Sequence, residues 1–188
     1  MATIRDDEGH ATKDGGRSWG RVALILVPCL LFVGLLGWAL LQTGSAPQPG
    51  DQAPDFEGPL LSGEGSLALD DLEGRPVFVN FWWSGCEPCK DEAPALKKAL
   101  ETYGDEVAFV GINIRDLHAD AVEFADEQGL DYPHVRDESL TIYRDYGLTG
   151  QPESFFIDRD GEIVEHVAGP IDESGLNSLL DVLVQRGG

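Results

Sequence analysis

Cys86 and Cys89 stand two residues apart, in Cys86-Glu87-Pro88-Cys89. Two intervening residues let a single helical turn bring both sulfurs within bonding distance. The amino end of a helix also presents unpaired N–H groups and a positive dipole end, and both stabilise a thiolate. Such a pair can carry out thiol–disulfide exchange. Cys86, nearer that end, is then the nucleophile, and Cys89, a turn deeper, resolves the mixed disulfide. Half of a zinc site is the competing chemistry, but no second cysteine pair accompanies it. His118, His134 and His166 are scattered along the chain, which is not a zinc-ligand spacing. A purely structural crosslink across so short a loop would constrain little of the unfolded chain. Neither a metal nor another cofactor is implied.

The dithiol needs a rigid strand-to-helix junction, and the flanking sequence supplies one. Pro76–Trp83, PVFVNFWW, is a near-continuous apolar and β-branched run, the pattern of a strand buried on both faces. A helix from about Cys86 to Tyr103 follows, and Glu87-Pro88 marks its first turn, where the missing proline N–H costs nothing. Val107–Asn113 reads as a second buried strand, Ala119–Gln128 as a helix ended by Gly129, and Ser139–Tyr146 as a short helix. Ser154–Ile157 and Ile163–Val167 flank Asp158-Arg159-Asp160-Gly161, a hairpin turn. Leu176–Val184 closes the domain as an amphipathic helix. A short hairpin, Phe56–Leu61 with Ser66–Leu69, precedes all of these. The order predicts an α/β domain with a parallel βαβ core and an antiparallel edge.

Ahead of this domain lie segments of different composition. Val22–Leu41 is 20 residues without a charge, and as a helix it would cover the roughly 30 Å hydrocarbon core of a bilayer. Trp19 and Trp38 sit near its ends, and Pro28, Gly34 and Gly37 within it are residues that membrane spans accept. Arg5, Lys13, Arg17 and Arg21 precede the run, and Arg75 is the first basic residue after it. The positive-inside rule then places residues 1–21 in the cytoplasm, 22–41 in the cell membrane as a single-pass anchor, and the remainder outside. A cleaved signal peptide competes, since Gly44 and Ala46 have cleavage-like spacing, but the run exceeds the usual signal core. Cys29 reads as a small apolar filler inside the span. Residues 42–53, rich in Gly, Pro, Ser and Gln, read as a flexible linker, and 54–188 as the globular domain.

The chain carries a formal charge of −21, with 34 Asp and Glu against 13 Lys and Arg. The first 46 residues hold four acids and four bases, so the whole excess falls beyond Ala46. Such a domain is repelled by nucleic acid and by anionic head groups, and the plainest reading of the charge is a solubilising surface.

Phe78–Pro94, FVNFWWSGCEPCKDEAP, resembles the active-site segment of the TlpA/ResA/CcmG-type membrane-anchored thiol–disulfide oxidoreductases. Tyr146–Gly169 is similar to that family's segment around its cis-proline, and Val107–Asp116 with the following helix resembles its central insertion. The resemblance spans about Gln52 to Val184. It implies a thioredoxin-like fold with an N-terminal β-hairpin and a central βα insertion, preceded by one transmembrane helix. By the same resemblance Cys86 is the attacking and Cys89 the resolving cysteine, and Pro152 the cis-proline facing them. Gln151 would lend its backbone to an incoming substrate strand. Glu92 matches the acid beneath the dithiol, which if buried would exchange a proton with Cys89. Glu153 would contact substrate or face solvent. Many relatives carry Trp directly before the first cysteine, and Gly85 in its place implies a more open, less apolar entrance to Cys86.

Direction follows from charge. Glu87, Glu92 and the acidic domain oppose a negative sulfur, while Lys90 and the helix dipole favour it, so the expected couple is reducing. The implied client is a disulfide in an exported protein, apocytochrome c above all, with a membrane electron donor restoring the dithiol. A disulfide-donating oxidase, a membrane-tethered copper carrier and a thiol peroxidase are the alternatives. The last two lack their usual cysteine spacings here.

Overall fold

A computed structural model describes residues 17–41 and 46–186, which fall into two compact units divided near Thr43. The first contains α1, Arg17–Leu41, a 25-residue helix with Pro28 inside it and exposed apolar side chains such as Leu30, Phe32 and Leu35. Within α1, residues 17–22, 25, 36 and 38–41 lie outside those whose side chains are described. Among the described residues no helix is long and apolar enough to cross a membrane.

The second unit is an α/β domain. Its main elements are β3 (Val77–Trp82), α2 (Glu87–Tyr103), β4 (Ala108–Ile114), α3 (His118–Gln128), β5 (His134–Asp137), α4 (Thr141–Asp145), β6 (Glu153–Ile157), β7 (Ile163–Ala168) and α5 (Glu173–Gln185). A two-stranded hairpin, β1 (Glu57–Pro59) with β2 (Ser66–Ala68), precedes them. The sheet runs β5-β4-β3-β6-β7, parallel across its first three strands and antiparallel across its last three. This is the mixed sheet the element order predicts.

Side-chain alternation along β3 divides the core. Phe78 and Trp82 face one layer with α2, α3 and α5, while Val77, Val79 and Phe81 face the other with Ile142, Tyr146 and Leu148 around α4. All six β3 residues are buried, so burial on both faces explains why the sequence shows no polar alternation there. Asn80 is its polar exception.

Two local expectations need correction. The sequence reading has no strand at His134–Asp137, yet β5 pairs with β4 through Gly111↔His134 to Ile114↔Asp137. Its composition, His-Val-Arg-Asp, offers a single apolar residue, so neighbouring strands and not local pattern create it. The 42–53 linker also extends too far. Gly50 and Ala53 donate to the carbonyls of Ile163 and Gly161 at 2.8 and 2.9 Å, tying 50–53 to the β7 edge. Leu61 donates to His134 at 2.7 Å on the opposite edge. Residues 50–61 thus cover both sheet edges that would otherwise present unpaired backbone.

His134 shows how tightly the core is matched. Its Nδ1 accepts from the Trp82 indole N–H at 3.2 Å and its Nε2 faces the Leu130 carbonyl at 3.0 Å. Burial pushes its pKa down to about 4, leaving a neutral ring with its proton on Nε2. Gly111 must be glycine there, because a Cβ would strike the ring of His134 and the Trp82 indole nitrogen.

Candidate active site

β3 ends at Trp82, and the chain turns through Trp83–Gly85 into α2. Cys86 is the N-cap of α2, and its sulfur accepts from the Cys89 N–H at 3.2 Å. Pro88 lies in the first turn, as the sequence predicts. The two cysteines form a disulfide with Cα atoms 5.2 Å apart. They are 4 % and 3 % exposed, so accessibility does not distinguish them. The N-cap position does: Cys86 lies against the unpaired N–H groups and positive end of α2, where a thiolate is stabilised.

Glu92 lies one turn beyond Cys89 on the same helix, at the i+3 spacing that puts two side chains on one face. The sequence leaves open whether it is solvated or buried, and the structure buries it to 3 % exposure. Oε1 accepts from the Asn80 amide at 2.8 Å and Oε2 from the Ile171 N–H at 3.2 Å. Burial raises its pKa to about 7, against the lowering effect of those two hydrogen bonds. No cation pairs with it among the described residues. A carboxyl poised near neutrality beside a dithiol can hold or give up one proton.

Asn80 is a site residue that sequence reading passes over. Its amide holds Glu92 and also donates to Ser154 Oγ at 3.0 Å, tying α2 to β3 and β6. The signal was a lone amide inside the apolar run PVFVNFWW, because a buried polar side chain needs partners.

The antiparallel pairing Phe81↔Glu153 puts the start of β6 at the same sheet end as the exit of β3. Gln151 and Pro152, just before β6, therefore belong to the dithiol end of the sheet. The Gln151–Pro152 bond is cis. Pro152 is buried, and its carbonyl accepts from Gly169 at 2.9 Å. Among the described residues the backbone N–H and C=O of Gln151 form no hydrogen bond.

Glu153 is placed differently from its expected role as a substrate contact. It is 2 % exposed, and Oε1 accepts from the N–H groups of Thr149 and Gly150 at 2.9 and 2.8 Å. Oε2 lies 2.8 Å from His166 Nε2, whose ring stacks on Phe155. Glu153 braces the loop before the cis-proline from inside. Glu153→Ala leaves two loop donors unpaired and is expected to destabilise the domain by about 2–4 kcal/mol, read by denaturant unfolding. A loss under half a kcal/mol would refute the brace.

The entrance to Cys86 is also not as open as Gly85 implies. Trp83 packs against both core layers, and its indole lies where a Cβ on Gly85 would project, with Cη2 2.7 Å from that position. Trp83 therefore fills the space that glycine vacates. Lys90, which the charge balance counts in favour of a thiolate, is paired with Glu87 at 3.3 Å.

Comparison with known proteins agrees with this geometry. Residues 49–166 match the AhpC/TSA family. The chain is 34 % identical over 160 residues to the thioredoxin-like protein YneN of Bacillus subtilis, covering 81 % of this chain and 93 % of the relative. It is 32 % identical over 169 residues to the thiol-disulfide oxidoreductase ResA of Bacillus anthracis, covering 85 % and 95 %. A secreted Mycobacterium tuberculosis disulfide oxidoreductase homologous to Escherichia coli DsbE superposes with a TM-score of 0.63 at 26 % identity, covering 68 % of this chain and 96 % of that one. The chain belongs to the thioredoxin-like AhpC/TSA family and is a thiol–disulfide oxidoreductase of the ResA/CcmG type.

Proposed function

We propose that this oxidoreductase works as a reductant on exported proteins, with apocytochrome c as its candidate client, and that it is held outside the cytoplasmic membrane. The observation that carries the direction is the buried Glu92 carboxyl on the Cys89 face of α2, with no compensating cation among the described residues. Negative charge there disfavours a thiolate, and a couple whose thiolates are poorly stabilised is reducing. The Lys90–Glu87 pair removes part of the opposing positive charge.

In the proposed cycle the Cys86 thiolate attacks one sulfur of a client disulfide and displaces the other as a thiolate. Glu92 takes the proton from Cys89, whose sulfur then attacks Cys86 and releases the second client sulfur. Two electrons pass to the client, and the Cys86–Cys89 disulfide is left behind. The Gln151 backbone, without a hydrogen-bond partner among the described residues, is suited to pair with an extended client segment beside the cis-proline. The uncharged 22–41 run and its basic leading flank support the anchor. Outside the membrane the oxidised domain needs a membrane partner to restore its dithiol, and a tether raises the effective concentration of the two.

Equilibration of the full-length chain with glutathione tests the direction. A reduction potential of about −220 mV or lower is expected, in the range of glutaredoxins and thioredoxin. A potential near about −120 mV, that of a strong oxidant, would make the protein a disulfide donor instead.

A further inference from the structure

Outside the dithiol, Glu92 and the proline loop, the Asp116 side chain makes three hydrogen bonds that the chemistry above does not use. Asp116 lies in the connection from β4 to α3. Its Oδ2 accepts from the Ser84 N–H at 2.7 Å and from the Asn113 amide at 2.6 Å, and its Oδ1 accepts from the Ser84 hydroxyl at 2.7 Å. No Lys, Arg or His pairs with it among the described residues. Ser84 is one of two residues inside the turn that joins β3 to α2, closed by the Cys86 N–H on the Trp83 carbonyl at 3.1 Å. Both donors of Ser84 go to this one carboxylate.

The side that holds Asp116 is itself constrained. Asn113 pairs with Trp82 in the sheet and is 3 % exposed, so its amide is anchored to the exit of β3. Arg115 takes φ 61°, a left-handed conformation unusual outside glycine. Such a conformation persists only where the surroundings over-determine it. It turns the chain immediately before Asp116. Two loops that leave adjacent parallel strands at the same sheet end are thereby joined through a single carboxylate.

We propose that Asp116 is a positioning residue of the dithiol centre: its carboxylate locks the Trp83–Cys86 turn and so holds Cys86 at the amino end of α2. This rests on Cys86 as the attacking sulfur, and it holds whichever way the electrons flow. With the turn released, the sulfur samples orientations that do not lie in line with an incoming disulfide. Because Asp116 is anionic and close to the turn, neutralising it also favours the Cys86 thiolate.

The test uses the full-length chain in detergent, in a Cys29→Ser background. Readouts are the single-turnover rate of Cys86 attack on a peptide disulfide, the glutathione equilibrium and the melting temperature. Asp116→Ala is expected to slow attack by about 10- to 100-fold, the scale of a small misplacement of reacting groups. Asp116→Asn, which keeps one acceptor for Ser84, should recover part of that rate. It should also shift the glutathione equilibrium about tenfold toward the dithiol. Ser84→Ala removes only the hydroxyl bond, should slow attack by about threefold to tenfold, and decides the matter if Asp116→Ala does not fold. Wild-type rates and equilibria in both Asp116→Asn and Ser84→Ala, with only the melting temperature lowered, would overturn the proposal. An oxidising potential in the unsubstituted chain would instead overturn the reductant reading and leave this one standing.

Discussion

In a Cys29→Ser background, Cys86→Ala is expected to lower thiol–disulfide exchange by about three orders of magnitude or more, because the nucleophile is gone. Cys89→Ala is expected to behave differently. Attack by Cys86 still proceeds, but no second thiol releases the client, so mixed disulfides accumulate on Cys86 and can be isolated on non-reducing gels. The asymmetry has a structural basis. Cys86 is the N-cap, against the free N–H groups of α2, whereas Cys89 lies a turn inside the helix beside Glu92. Adducts that formed on Cys89 in the Cys86→Ala protein, at the rate seen on Cys86 in the reciprocal variant, would reverse the assignment. The trapped proteins also identify the client. Apocytochrome c among them would support the proposed substrate, and its absence from a saturating trap would remove it.

The second large effect is a pH dependence centred on Glu92. Its carboxyl has an ordinary pKa of 4.5 and one of about 7 in the folded protein. Below pH 4.5 it is protonated in both folded and unfolded chains, and its burial carries no charge penalty. Above about pH 7 it is ionised in both, and the folded state bears the full cost of a buried anion. Between these limits the folded chain holds a proton that the unfolded chain has released, so stability falls as pH rises. The drop is about 3 kcal/mol at most. Glu92→Gln should flatten this slope, and urea unfolding of the oxidised protein at pH 4.5 and 8 would show it. The net gain at pH 8 falls short of the full drop, because glutamine offers one acceptor where Asn80 and Ile171 supply two donors. The same substitution should slow resolution by about 10²-fold or more, as loss of a general base does. Attack by Cys86 should be nearly unchanged. A wild-type slope in Glu92→Gln, or an unaltered resolution rate, would remove Glu92 from the proton path.

These two experiments rest on residues that were legible to different degrees. The C-x-x-C spacing and the apolar run before it are local patterns, and they place a dithiol at a strand-to-helix junction without any knowledge of the fold. The helices and the buried strands β3 and β4 were readable for the same reason, since their periodicity is a property of consecutive residues. β5 was not, because a strand with a single apolar residue exists only through the pairing that β4 offers it. Residues 50–53 read as linker by composition, yet they close a sheet edge that is invisible in one dimension.

Function-bearing side chains divide along the same line. The amino-acid sequence by itself determined that two sulfurs could form a redox pair, which of them lies nearer a helix end, and that the domain surrounding them is acidic. Only the tertiary structure decided that Glu92 is buried and that Glu153 turns inward to brace the proline loop. It also decided that the Trp83 indole sits where a Cβ on Gly85 would project and that Asp116 reaches 32 residues back to Ser84. The physical reason is that thiol spacing is a covalent, local property. Burial, and hence a carboxyl pKa, depends on what distant segments pack against the group. The dithiol can be read from four consecutive residues, whereas the environment that sets its reactivity is assembled from β3, β4, β6 and the loop before α5.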